Sequence, residues 1–139
     1  MTTADLIRER VHEYYWEHDF NCAVTMLKIL AEINGVALAP QVLAAATGMH
    51  GAGGNGAQCG LVEGAMMFVG IWGKEKGYSK DEIGEACRDF ALAFIREFGS
   101  LDCRVLRPEG FKPENPPHLC EPLSVRAVMF ATDFAAGIN

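Results

Sequence analysis

The chain has 139 residues, of which half are hydrophobic and 22% are charged, a balance typical of one globular domain over residues 1–139. Its formal net charge is −6 at pH 7. This charge argues against nucleic acid or an anionic membrane as the main partner, because the basic surface that those partners need is missing.

The N-terminal region predicts the compartment. Residues 1–20 are charged throughout and lack the apolar stretch of a signal peptide. The longest apolar run, residues 65–72, is far too short to span a bilayer. We therefore expect a cytoplasmic protein without membrane insertion. In a reducing compartment, the five cysteines are expected to be thiols, metal ligands or redox pairs rather than structural disulfides.

Helix signals dominate the first half of the chain. A capping box at Thr2 and Asp5 predicts the start of a first helix. The residues that share its apolar face are Ile7, Val11, Tyr14 and His18. A second helix is predicted from Asn21 to a left-handed stop at Gly35, and a short third helix over residues 40–46.

The second half continues this pattern after a glycine-rich loop. A fourth helix is predicted over residues 57–76, and a capping box at Ser79 opens a fifth that ends at Gly99. Residues 104–120 hold four of the six prolines and predict an extended loop before a last helix over 122–136. The sequence therefore predicts an all-α fold, a bundle of five or six helices with a Gly-rich and a Pro-rich loop.

The glycine-rich loop contains a literal match to the dinucleotide-binding pattern G-x-G-x-x-G at residues 51–56. That pattern needs a preceding strand, whereas residues 42–48 are alanine-rich and helical, so we interpret the match as coincidence. Gly56, Gly60 and Gly64 recur at every fourth position and leave a face that a helix, a loop or a cofactor can approach. Tight helix packing alone is the other interpretation. The candidate cofactor-binding residues are Gly54, Gly56 and Gly60.

Four of the five cysteines fall at the ends of predicted elements. Cys22 and Cys59 open the second and fourth helices, Cys103 follows the fifth, and Cys120 precedes the last. Helix N-termini stabilise thiolates, so lowered thiol pKa values are expected at three of the four. Cys87 lies on the apolar stripe of the fifth helix and is interpreted as a small buried hydrophobe. No C-x-x-C pattern is present, so any cluster must be assembled by the fold.

These motifs together resemble a known family. Residues 19–23 (DFNCA), 59–64 (CGLVEG) and 98–103 (FGSLDC), followed by a late cysteine, resemble a redox-active family with four cysteines and a CGAxxG motif. The resemblance covers nearly the whole chain, although Leu61 stands where the motif has alanine. It implies a redox role but no particular substrate. By this match the family's four cysteines, here called the four-cysteine group, correspond to Cys22, Cys59, Cys103 and Cys120.

Thiol redox chemistry is the first functional hypothesis. Two members of the group would form a reversible disulfide, with Cys59 as the attacking thiol because it joins a helix start to a mobile loop. Cys22, another thiol at a helix start, is its expected partner. A redox partner protein or a small-molecule oxidant or reductant would exchange electrons with them.

Two alternatives stay open. The four-cysteine group could ligate zinc or an iron–sulfur cluster, because thiolates suit both. The chain could instead be a non-catalytic helical binding or assembly module, such as a homodimer. The residues that could line its interface, or else belong to an ordinary core, are Trp16, Met66, Met67 and Trp72.

The remaining polar candidates are predicted to be ordinary solvated residues. His50 and His118 could ligate a metal or activate a thiolate, but both are predicted to be solvated loop residues. Glu63, one turn after Cys59, could act as an acid or a base and is predicted to be a solvated carboxylate.

Overall fold

A computed structural model describes residues 1–107 and 114–138, and within these ranges the chain forms helices and no strand. The prediction of an all-α fold is confirmed. In these ranges no helix combines the length and the hydropathy needed to cross a membrane. The helices are α1 (Thr3–Trp16), α2 (Cys22–Asn34), α3 (Pro40–Ala45), α4 (Gly51–Gly54), α5 (Gly60–Glu75), α6 (Lys80–Phe98), α7 (Cys103–Leu106) and α8 (Glu121–Ala136).

The predicted caps set the helix boundaries. Thr2 and Asp5 form the capping box of α1, and Ser79 forms the equivalent box at the start of α6. Gly35 and Gly99 end α2 and α6 in the left-handed region, with φ values of 68° and 94°. Glycine adopts this conformation without the steric penalty of a side chain. These signals are local, and the structure confirms them.

Two expectations about the loops are wrong. The helix α5 begins at Gly60 rather than near residue 57, because residues 57–59 pair with a distant segment. Cys59 is therefore the N-cap of α5. The short segment α4 is a left-handed turn within the glycine-rich loop, because all four of its residues have positive φ values. The predicted proline-rich loop begins inside α7. Pro108 and Pro113 of that loop lie outside the described residues.

One buried cluster runs through the five long helices. The helix α2 packs against α1, α5 and α8, and α6 lies on the far side of α5. Phe90 and Phe94 of α6 are fully buried and reach Phe130 of α8, with ring centroids 5.9 and 6.1 Å apart. Burying one such ring contributes about 1.5–3 kcal/mol to stability. His18 lies beyond the end of α1 and is exposed, as expected for a residue at the edge of the apolar face, and its ring stacks on Phe20 with centroids 5.2 Å apart.

The helices α2 and α5 approach closely because α5 lacks side chains where they meet. A Cβ atom at Gly64 would collide with the carbonyl oxygen of Ala23. A Cβ atom at Gly60 would lie 2.6 Å from the carbonyl oxygen of Met49. Both positions therefore need glycine, and the predicted close approach of another helix is confirmed. Gly56 instead faces the side chain of Arg104.

Candidate functional site

The first turns of four helices meet at one place and bring four thiols with them. Cys22 and Cys103 are the first residues of α2 and α7, and Cys59 and Cys120 are the N-caps of α5 and α8. In all six pairs of this group, the charge of one thiolate raises the pKa of the other thiol. Such interactions require proximity. The structure therefore gathers the four-cysteine group from segments that lie far apart in the sequence.

Cys87 stands apart from this group. It lies on α6, where its thiol faces the carbonyl oxygen of Met66 at 4.0 Å. Burial raises its pKa, with no contribution from another described cysteine. The side chain is only half-buried, so the prediction of a fully buried hydrophobe at this position is wrong. All five cysteines are free thiols in the structure.

A short antiparallel bridge between Gln58 and Asp102 positions Cys59 and Cys103. The amide of Cys59 donates to the carbonyl of Leu101 at 2.7 Å, and the amide of Cys103 donates to the carbonyl of Ala57 at 2.7 Å. Side chains alternate along extended backbone, so Cys59 and Cys103 share the face opposite to Gln58 and Asp102. They are diagonal neighbours across the bridge.

The cap of α2 positions Cys22. The side-chain oxygen of Asn21 accepts from the amide of Val24 at 2.8 Å. Its Nδ2 atom donates to the carbonyl oxygens of Ala46 (3.1 Å) and Thr47 (2.6 Å), which ties this end of α2 to the segment after α3. The sulfur of Cys22 then fills the space that a Cβ atom at Gly60 would occupy.

Tyr15 lies on the inner side of the group. Its hydroxyl forms a 2.5 Å hydrogen bond with the hydroxyl of Ser124, and both side chains are buried. Burial raises the pKa of Tyr15 well above its ordinary value, and the charges of Cys22, Cys120 and Cys59 act in the same direction. A neutral phenol therefore lies beside three thiols.

Three members of the group open onto a cavity of about 550 Å³, a size that suits a small organic molecule. Cys59 is 4% exposed and lies behind the other three. The lining residues are Tyr15, Asp19, Phe20, Asn21, Cys22, Val24, Leu43, Ala44, Thr47, His50, Gly54, Cys103, Arg107, His118, Leu119 and Cys120.

Burial dominates the electrostatics of the thiols. It raises the pKa of Cys22 to about 12 and that of Cys59 to about 11, because the charged form loses its solvation. Backbone amides of Leu61 and Val62 act to lower the pKa of Cys59, but burial together with the charges of Cys103 and Cys120 outweighs them. The expectation of thiol pKa values lowered by helix N-termini is therefore wrong.

The cavity also has a positive side. Burial raises the pKa values of Cys103 and Cys120, while the Arg107 guanidinium acts to lower both. Arg107 is the C-cap of α7, and its amide donates to the carbonyl of Cys103 at 2.9 Å. Its place beside the thiols was not predicted, because residues 104–120 were expected to form an extended loop.

His118 is held in place at the mouth of the cavity. Its Nε2 atom lies 3.0 Å from a carboxylate oxygen of Asp19, and its ring stacks on Tyr15 with centroids 4.9 Å apart. Only 16% of the side chain is exposed, so the prediction of a solvated loop histidine is wrong here. His118 and Asp19 both have positive φ values, 57° and 52°. His50 also lines the cavity but is exposed.

The other predicted candidates have different neighbours. Gly54 lines the cavity, whereas the space beside Gly60 belongs to the sulfur of Cys22. Glu63 is hydrogen-bonded to Gln58. Trp72 stacks on the buried ring of Phe68, and Trp16 is half-exposed. The partly buried side chains of Met66 and Met67 pack against the core.

The metal hypothesis gains no support from this arrangement. Among the described residues, no group of three or more His, Cys, Asp or Glu side chains is placed to hold a metal ion. The homodimer and the cytoplasmic location stay predictions.

Comparison with known proteins agrees with the motif. Searches of curated proteins and of solved structures find no match to the chain. A family model described as "Putative redox-active protein (C_GCAxxG_C_C)" matches residues 20–134, a span that contains all four members of the cysteine group. The chain therefore belongs to the C_GCAxxG_C_C family.

Proposed function

We propose that this protein carries out thiol–disulfide redox chemistry through Cys22, Cys59, Cys103 and Cys120. The observation that supports it is that four thiols from four different helix starts lie near one another. Cys22, Cys103 and Cys120 line one cavity, and Cys59 adjoins Cys103 across the bridge between Gln58 and Asp102. Cysteines that only fill a core have no reason to gather, and Cys87 shows such an isolated position. Membership in a redox-active family points in the same direction.

The reaction is an exchange with an external disulfide, supplied by a partner protein or a small molecule. A thiol of the group loses its proton and attacks one sulfur of that disulfide, so a mixed disulfide forms and one external thiol leaves. A second thiol of the group then attacks the mixed disulfide and releases the other external thiol. Two protein thiols have lost two electrons and two protons, and the external disulfide has gained them.

The order in which the thiols react is assigned from their access to the cavity and from the charges near them. Cys103 and Cys120 line the cavity and lie near the Arg107 guanidinium, so we assign the first contact with the external disulfide to one of them. Cys59 is buried behind the cavity, and Cys22 has a strongly raised pKa. We assign these two to the resolving step. The sequence-based choice of Cys59 as the attacking thiol is the competing order.

Peptide mapping of the oxidised protein tests the proposal. The fully reduced chain is treated with a limited amount of a small disulfide, blocked with an alkylating reagent and digested. We expect at least one cross-link within the four-cysteine group, while Cys87 stays alkylated as an internal control. Equal alkylation of all five cysteines, with no internal cross-link, would contradict the proposal.

A single-cysteine series separates the two orders of attack. In variants that retain one member of the group, the mixed disulfide with the external reagent should form fastest at Cys103 or Cys120. Fastest formation at Cys59 would support the sequence-based order instead. The Cys87→Ser substitution in every variant removes the unrelated thiol, and circular dichroism checks that each variant is folded.

A further inference from the structure

The cavity beside the four-cysteine group is lined by two chemically different kinds of side chain. Phe20, Val24, Leu43 and Leu119 supply apolar surface. Cys22, Cys103 and Cys120 supply thiols, and Arg107 is the one side chain with a permanent positive charge among the described lining residues.

Negative charge is scarce in the cavity. Among the described lining residues Asp19 is the one carboxylate, and its side chain is 91% exposed and engaged with His118. Arg107 therefore contributes a positive charge to the described lining of the cavity, although the chain as a whole has a net charge of −6. A positive site inside a negative protein selects for anions only within its own short range.

The guanidinium of Arg107 is suited to bind a carboxylate. A guanidinium presents five N–H donors in a planar fork that fits a carboxylate, so it can bind an anion while it keeps an intramolecular contact. The same guanidinium acts on both Cys103 and Cys120, which places it within charge range of the two accessible sulfurs. A ligand held by Arg107 would thus present its neighbouring atoms to a thiol.

We propose that the external disulfide is a small organic disulfide that carries a carboxylate, bound with the carboxylate on Arg107 and the S–S bond beside Cys103 or Cys120. This inference rests on the proposed function and names its substrate class. The protein thiol attacks the nearer sulfur and releases half of the molecule as a carboxylate-bearing thiol. A second cysteine then displaces the other half as a second such thiol. A cavity of about 550 Å³ has room for a molecule of this kind.

The test compares three small disulfides of similar size on the reduced full-length protein. Dithiodiglycolate carries two carboxylates, bis(2-hydroxyethyl) disulfide is neutral, and cystamine carries two ammonium groups. A thiolate on a negative protein should by itself favour cystamine, because like charges repel and opposite charges attract. We expect the opposite order, with dithiodiglycolate about tenfold faster than cystamine, a ratio that corresponds to ~1.4 kcal/mol. Rates are measured by rapid quenching and mass spectrometry of the cross-link.

Variants test whether Arg107 causes the preference for the anionic probe. Arg107→Gln should remove most of the preference for the anionic probe, and Arg107→Lys should retain part of it. Arg88→Gln makes the same change in net charge at an exposed position of α6 and should leave the order of the probes unchanged. If Arg107→Gln does not fold, the order of the three probes on the unmodified protein and on Arg107→Lys still decides the question.

The outcomes distinguish this inference from the proposed function. If cystamine reacts fastest, or if Arg107→Gln keeps the preference, the anionic substrate is wrong while the cross-link still supports thiol redox chemistry. If only a protein disulfide oxidises the group, the small-substrate inference is again wrong and the proposed function stands. If neither these probes nor a protein disulfide produces a cross-link in the group, the proposed function itself fails.

Discussion

Gln58 and Asp102 face each other across a two-residue antiparallel bridge, which turns Cys59 and Cys103 toward the same side. The bridge gives both cysteine amides a partner, whereas amides at the start of a helix commonly lack one. We therefore expect the amides of Cys59 and Cys103 to exchange with deuterium much more slowly than the amide of Lys80, the first residue of α6. NMR-detected exchange measures this difference. Equal rates at the three amides would mean that the bridge does not hold in solution.

The close contact of α2 and α5 should tolerate a methyl group at one glycine and not at another. Gly64→Ala drives a Cβ atom into the carbonyl oxygen of Ala23 and should lower the free energy of unfolding by about 1–3 kcal/mol or more. Gly70 lies on the same helix with open space around it, so Gly70→Ala should raise that free energy by about 0.5–1 kcal/mol. Urea denaturation measures both variants. A similar loss of stability in both variants would mean that alanine destabilises α5 at either position, so the contact with α2 would not be the cause.

The side chain of Asn21 caps α2 and also binds the segment after α3, and two substitutions separate these roles. Asn21→Asp keeps the cap on Val24 but loses the donation to the carbonyl oxygens of Ala46 and Thr47. We expect a loss of about 0.5–1.5 kcal/mol per hydrogen bond, because the Ala46 carbonyl still accepts from the amide of Met49 and Thr47 is exposed to water. Alkylation of Cys22 should become faster. Asn21→Ala loses both tasks and should be the less stable variant.

Ser79→Ala serves as the control for this pair, because it removes a cap on α6 far from the cavity. It should cost about 1 kcal/mol and leave the alkylation rate of Cys22 unchanged. Equal alkylation of Cys22 in the Asn21→Asp variant and in the unmodified protein would contradict a role of Asn21 in holding that thiol.

The hydroxyl pair of Tyr15 and Ser124 should behave as one unit. Tyr15→Phe or Ser124→Ala alone leaves a buried hydroxyl without its partner, at a cost of about 1–3 kcal/mol. The double variant should cost less than the two losses added together, with a coupling of about 1 kcal/mol. Tyr14→Phe, at the adjacent position, should change stability by less than about 0.5 kcal/mol. Strict additivity in urea denaturation would exclude the pairing.

Stability of the reduced protein should fall at alkaline pH. Burial raises the pKa of Cys22 from 9.0 to about 12 and that of Cys59 to about 11, so the folded chain holds these protons where the unfolded chain has lost them. The free energy of unfolding is therefore unaffected by these thiols below pH 9 and decreases from pH 9 toward about 12. Tyr15, with its raised pKa, acts in the same direction.

The variant Cys22→Ala should show a shallower decrease than the unmodified protein when urea midpoints are followed with pH. Cys87→Ala should change the slope less, because that side chain is only half-buried. A stability that stays constant above pH 9 would mean that these thiols are solvated and not buried.

Local signals in the sequence were sufficient for most helix boundaries. Capping boxes at Thr2 and Ser79 and left-handed glycines at Gly35 and Gly99 act within a few residues, so they can be recognised without knowledge of the fold. The placement of Cys22, Cys59 and Cys120 near helix starts was predicted from the sequence, whereas the helix α7 that begins at Cys103 was not. The hypothesis that these starts converge rested on the motif and not on periodicity.

Features that depend on distant parts of the chain could not be predicted. The bridge between Gln58 and Asp102 joins segments 44 residues apart and shortens the predicted start of α5. The direction of the thiol pKa shifts was wrong because burial is a property of the assembled core, whereas a helix N-terminus is visible in the sequence. His118 was misplaced for the same reason, since Asp19 and Tyr15 come from the other end of the chain.

The wide spacing of Cys22 and Cys120 along the chain has a thermodynamic consequence. A covalent link between them would close most of the polypeptide into a ring, and a ring of that size reduces the entropy of the unfolded chain by the equivalent of about 4–5 kcal/mol. Oxidation would then favour the native state, and reduction would relax the whole domain rather than one loop. Conversely, a chain that has not yet folded does not hold these four sulfurs together, so the proposed redox chemistry would require the folded state.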